Sequence, residues 1–215
     1  MNSAYKIYDK YNFYPTYYAS LDDTVIISHK KQLQKLLDTK KIQKYFYYKW
    51  SHYKPLCKRT DYIFKENENY VGVVKTGIYS GISSNFKDFK SWGNTGSDCV
   101  QIAIMMGYRN IYIIGVDGYI EKIKSAQLVN CNNMQKLLMK ETPKNNENYF
   151  FNDYQEKGEI YNIPNAMKWH IPGWVYATST CNKNNIKIFN MSNKEYIKTI
   201  PFIDYDEFVK NIELL

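Results

Sequence analysis

The segment from Asn94 to Tyr119 constrains the fold more than any other part of the chain. Asn94-Thr95-Gly96-Ser97 carries the small and capping residues of a helix start, and residues 100–106 continue it as an apolar helix body. Gly107 suits a C-terminal cap that needs positive φ. Ile111-Tyr112-Ile113-Ile114 is a continuous apolar run, the pattern of a strand in a parallel sheet covered on both faces. It ends on Gly115-Val116-Asp117-Gly118-Tyr119. A helix followed at once by such a strand predicts an α/β sheet. Its polar residues sit at the strand's carboxyl end, where open sheets of this kind bind ligands.

The remaining elements fit that class. Residues 2–11 read as a short helix and 15–21 as a strand ending at Asp22-Asp23. Residues 31–37 place Leu33, Leu36 and Leu37 on one helical face. Aromatic-rich 44–50 predicts a strand, 61–64 another short one, and 71–74 an apolar, β-branched one. Residues 120–149 are rich in Lys and Asn and read equally well as a lid or substrate loop or as disorder. A helix over 164–180 is expected to be interrupted at Pro172-Gly173, and 186–190 forms a late strand. Asp204 caps a terminal helix, with Glu207 three residues on. No repeat and no low-complexity linker divides the 215 residues. The expectation is one domain over 1–215, a Rossmann-like, mostly parallel sheet flanked by helices.

Composition narrows the class of function. At 44% hydrophobic and 23% charged, the chain can bury an ordinary core. No apolar run reaches the ~18–20 residues of a membrane span. Met1-Asn2-Ser3-Ala4-Tyr5-Lys6 has neither the basic nor the apolar region of a secretory signal. Cys57, Cys99, Cys131 and Cys181 form no metal-ligand or disulfide spacing, so a reduced, cytoplasmic setting is expected. The 29 basic and 21 acidic residues give +8, which suits nucleotides, nucleic acid or an anionic membrane and equally suits solubility alone. Only two arginines, Arg59 and Arg109, are present, which argues against a reader of base edges. Abundant Lys, Asn, Ile and 22 Tyr match the codon bias of an AT-rich genome, so much of the charge carries no message of its own.

Asn94-Thr95-Gly96-Ser97, Gly107-Tyr108-Arg109-Asn110-Ile111-Tyr112 and Gly115-Val116-Asp117-Gly118-Tyr119 together resemble the bacterial sialyltransferases of glycosyltransferase family 42. They are similar also to motility-accessory-factor-type and polysaccharide-cluster glycosyltransferases. The likeness continues in patches at Met1–Tyr5, at Pro15-Thr16-Tyr17-Tyr18 with Asp22, at Asn162-Ile163-Pro164-Asn165, along 186–192 and at Ile200-Pro201-Phe202-Ile203-Asp204. The family's first strand and its Gly-Asn-Gly-Pro-Ser type donor loop have no counterpart before Asn2, so an N-terminally shortened domain is expected.

The resemblance implies transfer of a sugar, sialic acid or a related nonulosonic acid, from a nucleotide-activated donor to a cell-surface glycan. A CMP-linked donor is favoured and no cofactor is obligatory. It implies His170 as the catalytic base and Tyr119 as the phenol that assists the leaving phosphate. Donor binding falls to Asn2, Thr95, Gly96, Ser97 and Asp117, with the helix start at Thr95–Ser97 offering free N–H groups to a phosphate. No metal is implied, and Asp204-Tyr205-Asp206 reads as a helix cap rather than a metal-binding DxD. The expected partners are a nucleotide-sugar and a glycan, not nucleic acid. Peripheral association with the inner face of a membrane and homo-oligomerisation stay open. Two rivals also stay open: a truncated relative that binds nucleotide without catalysis, and a pterin-diphosphokinase-like pyrophosphoryl transferase.

Overall fold

The structure, a computed structural model, describes residues 1–52, 58–116, 123–131, 134–146, 148–149, 151–163, 168, 170–192 and 197–213. It has the expected α/β class, with a parallel sheet flanked by helices in a Rossmann-like arrangement. The chain gathers into two compact units. The first comprises Met1–Gly77, Ser84–Phe89 and Glu121–Pro164; the second comprises Ile78–Ser83, Lys90–Ile120 and Asn165–Leu215.

The first unit begins with a 3-10 helix, Asn2–Ile7, that runs into α1 (Tyr8–Tyr11). β1 (Tyr17–Ser20), β2 (Lys44–Ser51) and β3 (Tyr70–Ile78) then pair in parallel in that order, and the short strand β4 (Phe89–Ser91) comes next in the chain. α2 (Asp23–Ser28) and α3 (Lys30–Asp38) form the crossover from β1 to β2. Asp22 starts α2 by accepting from the backbone N–H groups of Thr24 and Val25 at 2.8 and 3.4 Å. α3 buries Leu33, Leu36 and Leu37, the predicted face.

Aromatic side chains make the strands of this unit because they fill a pleated, buried surface. Tyr18 stacks on Tyr45 at 5.7 Å and Tyr45 on Tyr47 at 5.8 Å, while Phe64 meets Tyr45 edge-on at 5.3 Å. The Tyr47 hydroxyl is satisfied by donating to Phe64 O at 3.0 Å. Residues 61–64 form a turn, not the expected strand. Ile63 N bonds to Thr60 O at 2.9 Å, and the turn's service is to insert Phe64 into the core.

Two strands of a second sheet lie in the stretch 120–149 read as a lid, substrate loop or disorder, and the third follows it. β6 (Ala126–Cys131), β7 (Met134–Met139) and β8 (Ile160–Asn162) pair antiparallel. The sheet buries Met139 and Tyr161 in the usual way, but two positions break the rule, since Leu128 is 58% exposed and Lys136 only 4%.

The second unit holds α4 (Thr95–Met105), β5 (Asn110–Ile113), α5 (Ile171–Lys183), β9 (Lys187–Asn190) and α6 (Tyr205–Glu213). Gly107 ends α4 with φ +98°, as its position predicts. β5 and β9 are parallel, with Ile111 opposite Ile188. Trp92, Val100, Ile104, Ile113, Trp174, Ala177 and Ile188 belong to one core. On β5, Tyr112 packs instead on Phe189 and on Phe208 of α6. Cover is partial, because Ile111 and Tyr112 are half-buried and Ile114 is left 78% exposed, so the apolar run is not the doubly buried strand expected. Nor do Pro172 and Gly173 interrupt α5: they lie in its first turn, where proline's missing N–H costs nothing. Asp204 caps α6 by accepting from Glu207 N at 2.9 Å. Among the described residues no helix is long and apolar enough to cross a membrane.

Candidate functional site

The predicted helix start at α4 is built from hydrogen bonds within the second unit. Asn94 Oδ1 accepts from Ser97 N at 3.0 Å. Ser97 is fully buried, and its hydroxyl donates to Trp92 O at 3.0 Å. The buried Asp98 carboxylate accepts from Trp92 N at 2.6 Å and from the Ser91 hydroxyl at 3.0 Å, a favourable place for negative charge near a helix N-terminus. A Cβ on Gly96 would stand 2.6 Å from Trp174 Cζ2, and one on Gly173 would stand 2.5 Å from Trp92 O. Glycine at both positions lets the first turns of α4 and α5 press together. The cap thus occupies Ser97 N, and the Trp174 indole lies on Gly96.

His170 directly precedes α5, and its carbonyl accepts from Asn94 Nδ2 at 3.3 Å. The structure therefore brings the His170 backbone to Asn94, the residue that precedes Thr95, Gly96 and Ser97. Burial lowers the His170 pKa from 6.5, which keeps the imidazole neutral at pH 7 and able to take up a proton. Other contacts of the second unit join β5, β9 and the segment that precedes α6. Val116 N donates to Ser192 Oγ at 3.0 Å and Met191 N to Ile113 O at 2.8 Å. Asn190 N donates to Pro201 O at 2.8 Å, and Ile203 N to Asn190 O at 3.1 Å. Asp117 and Tyr119 lie outside the described residues. Asn2 belongs to the first unit, with φ 50°. Its carbonyl accepts from the Tyr18 hydroxyl, and its side-chain oxygen is buried without a hydrogen-bond partner among the described residues.

A second polar cluster, in the first unit, was not legible in the sequence. Glu159 accepts from Lys6 Nζ at 2.8 Å, from Glu156 N at 2.8 Å and from the Tyr161 hydroxyl. Lys6 also pairs with Glu156 at 3.0 Å. His29 is fully buried, with Nδ1 3.1 Å from the Tyr5 hydroxyl. Its Nε2 is 3.2 Å from Glu159 Oε1, close enough for attraction but not aligned as a hydrogen bond. Burial, then the charge of Glu159, raises the pKa of both Tyr5 and Tyr161, so both phenols stay neutral. Both carboxylate oxygens are occupied and the imidazole is enclosed. The cluster therefore ties the N-terminal 3-10 helix to the turn before β8, rather than offering a face to a substrate.

Burial lowers the His29 pKa from 6.5, with Glu159 opposing and Lys6 assisting. The folded form therefore binds protons less readily than the unfolded chain. The stability contributed by neutral His29 is present above pH 6.5 and drains as pH falls through the lowered pKa. His170 acts in the same direction. Urea midpoints should fall from pH 7 to pH 5, and the fall should shrink in His29→Gln. An unchanged slope in that variant would remove His29 from the account.

Comparison of the chain with protein-family models, with curated proteins and with solved structures finds no match.

Proposed function

We propose that this chain transfers a sugar from a nucleotide-activated donor, CMP-linked by preference, to a glycan. The observation that carries the reading is the hydrogen bond from Asn94 at the α4 start to the His170 carbonyl, which joins two predicted site segments 76 positions apart in the chain. The neighbouring contacts of β5, β9 and the segment at Pro201–Ile203 support it. In this reading the neutral His170 takes the proton of the acceptor hydroxyl as its oxygen attacks the sugar's anomeric carbon. The bond from that carbon to the donor phosphate breaks, and Tyr119 donates a hydrogen bond to the departing phosphate. The reading assigns donor binding to Asp117 and to the α4 start, whose helix N-terminus favours a phosphate. The reaction would run in the cytoplasm, at or near a membrane where surface glycans are assembled.

The test is calorimetry of the full chain with CMP, UDP, GDP and ADP, followed by transfer from a CMP-sugar. Selective CMP binding, weakened in Tyr119→Phe, is the expected result. His170→Gln should retain binding and lose about 10²–10⁴-fold in transfer rate. A folded chain that binds none of the four nucleotides overturns the reading.

A further inference from the structure

The carboxyl end of β1, in the first unit, collects two buried ammonium groups. Lys75 of β3 is 6% exposed, and its Nζ donates to Leu21 O at 3.2 Å. The equally buried Lys136 of β7 has a single hydrogen bond among the described residues, to the Thr24 hydroxyl. That hydroxyl donates onward to Asn162 Oδ1 at 3.2 Å, and Asn162 Nδ2 donates to Asp22 Oδ2 at 2.6 Å. Ser51 is the register partner of Lys75 across β2 and β3, so both side chains leave the sheet on the same side. The Ser51 hydroxyl is buried and has no hydrogen-bond partner among the described residues.

An ammonium offers three donors, and taking it out of water is costly unless they and its charge are matched. Lys136 has no ion pair among the described residues. The carboxylates nearby are committed elsewhere. Asp22 caps α2 and holds Asn162. Asp23 accepts from Lys58 N at 2.8 Å; burial and Asp22 raise its pKa against the attraction of Lys136, so it opposes the Lys136 charge without forming an ion pair with it. The position is the carboxyl edge of parallel strands, where α/β sheets receive ligands.

We propose that this edge is a phosphoryl-binding site, with Lys136 and Lys75 supplying the charge and Ser51 a hydroxyl donor. Lysine suits this group because it is a compact point charge, and a phosphoryl group presents three oxygens to donors arriving from different strands. The proposal does not rest on the sugar-transfer reading, since its residues all lie in the first unit.

The experiment follows thermal unfolding and calorimetry of the full chain with inorganic phosphate, pyrophosphate and acetate at matched ionic strength. Phosphate and pyrophosphate should raise the unfolding midpoint. Lys136→Met and Lys75→Met should each weaken pyrophosphate binding about tenfold or more. The ligand-free midpoint of Lys136→Met should hold or rise, because replacing an under-compensated buried charge by an apolar chain of similar shape is neutral or stabilising. Lys31→Met, exposed on α3, is the control and should respond like the parent. An equal pyrophosphate response in parent and Lys136→Met overturns the proposal. So does a response to acetate and not to phosphate. A fall in the ligand-free midpoint of Lys136→Met, with no phosphate response in the parent, makes Lys136 structural and overturns it as well. If Lys136→Met fails to fold, Lys75→Met and Ser51→Ala decide by the same criterion.

Discussion

Glu159→Ala should cost about 3–5 kcal/mol of folding stability, the range for breaking a buried charge pair by removing one partner. Glu159 is buried, and the side chain of Lys6 is only 7% exposed. Truncation leaves the Lys6 ammonium with Glu156, which is half exposed, as its remaining carboxylate. It also strips acceptors from the Tyr161 hydroxyl and from Glu156 N. Part of the loss is the penalty of the orphaned charge rather than the worth of the pair. The double variant Lys6→Met/Glu159→Ala should therefore recover some of it, and the two single effects should not add. Urea denaturation followed by circular dichroism reads all three. A loss for Glu159→Ala within about 0.5 kcal/mol of zero, as for an ordinary surface substitution, would show that the network holds nothing together.

That network also marks where sequence reasoning stops. The α4–β5 segment was legible because its signals are local: a capping Asn94, a Gly107 that needs positive φ, and an apolar run between them and Gly115. Asp204 with Glu207, and the leucine face of α3, were legible for the same reason. Glu159 and Lys6 are 153 positions apart, and no local pattern distinguishes them from the other acidic and basic residues of the chain. The sheet of β6, β7 and β8 was missed for a different reason. A strand is recognised by apolar residues on its buried face, and here Leu128 is exposed while Lys136 is buried. The exception coincides with the buried lysine proposed to bind a phosphoryl group, as expected where a site breaks the local rule. Pro172 misled because proline ends helices from within but begins them at the first turn, and only the structure shows which turn it occupies.

Trp174→Ala should be the other costly substitution, at about 3–5 kcal/mol for removing a buried tryptophan. The ring is 2% exposed and belongs to the core that includes Trp92, Val100, Ile104 and Ile113. Its six-membered edge also lies on Gly96, so the two positions are coupled. Gly96→Ala places a methyl 2.6 Å from Cζ2 and 3.0 Å from Cη2 of that ring. Overpacking of this kind costs about 1–3 kcal/mol. In the double variant the methyl enters space that the indole has vacated, so the clash vanishes and a little of the cavity is filled. The double loss should therefore fall below the sum of the single losses by about the whole cost of Gly96→Ala. Additive losses in urea denaturation would mean that Gly96 is required by the helix start itself and not by the ring upon it. The same pair bears on the proposed reaction. A phosphate at the α4 start must approach Gly96, and the indole covers that approach. If the donor binds there, Trp174 has to move, and Trp174→Ala, studied at a temperature where it remains folded, should bind CMP more tightly than the parent. Weaker binding would place the phosphate away from Gly96, with the helix start serving only to hold α4 against α5.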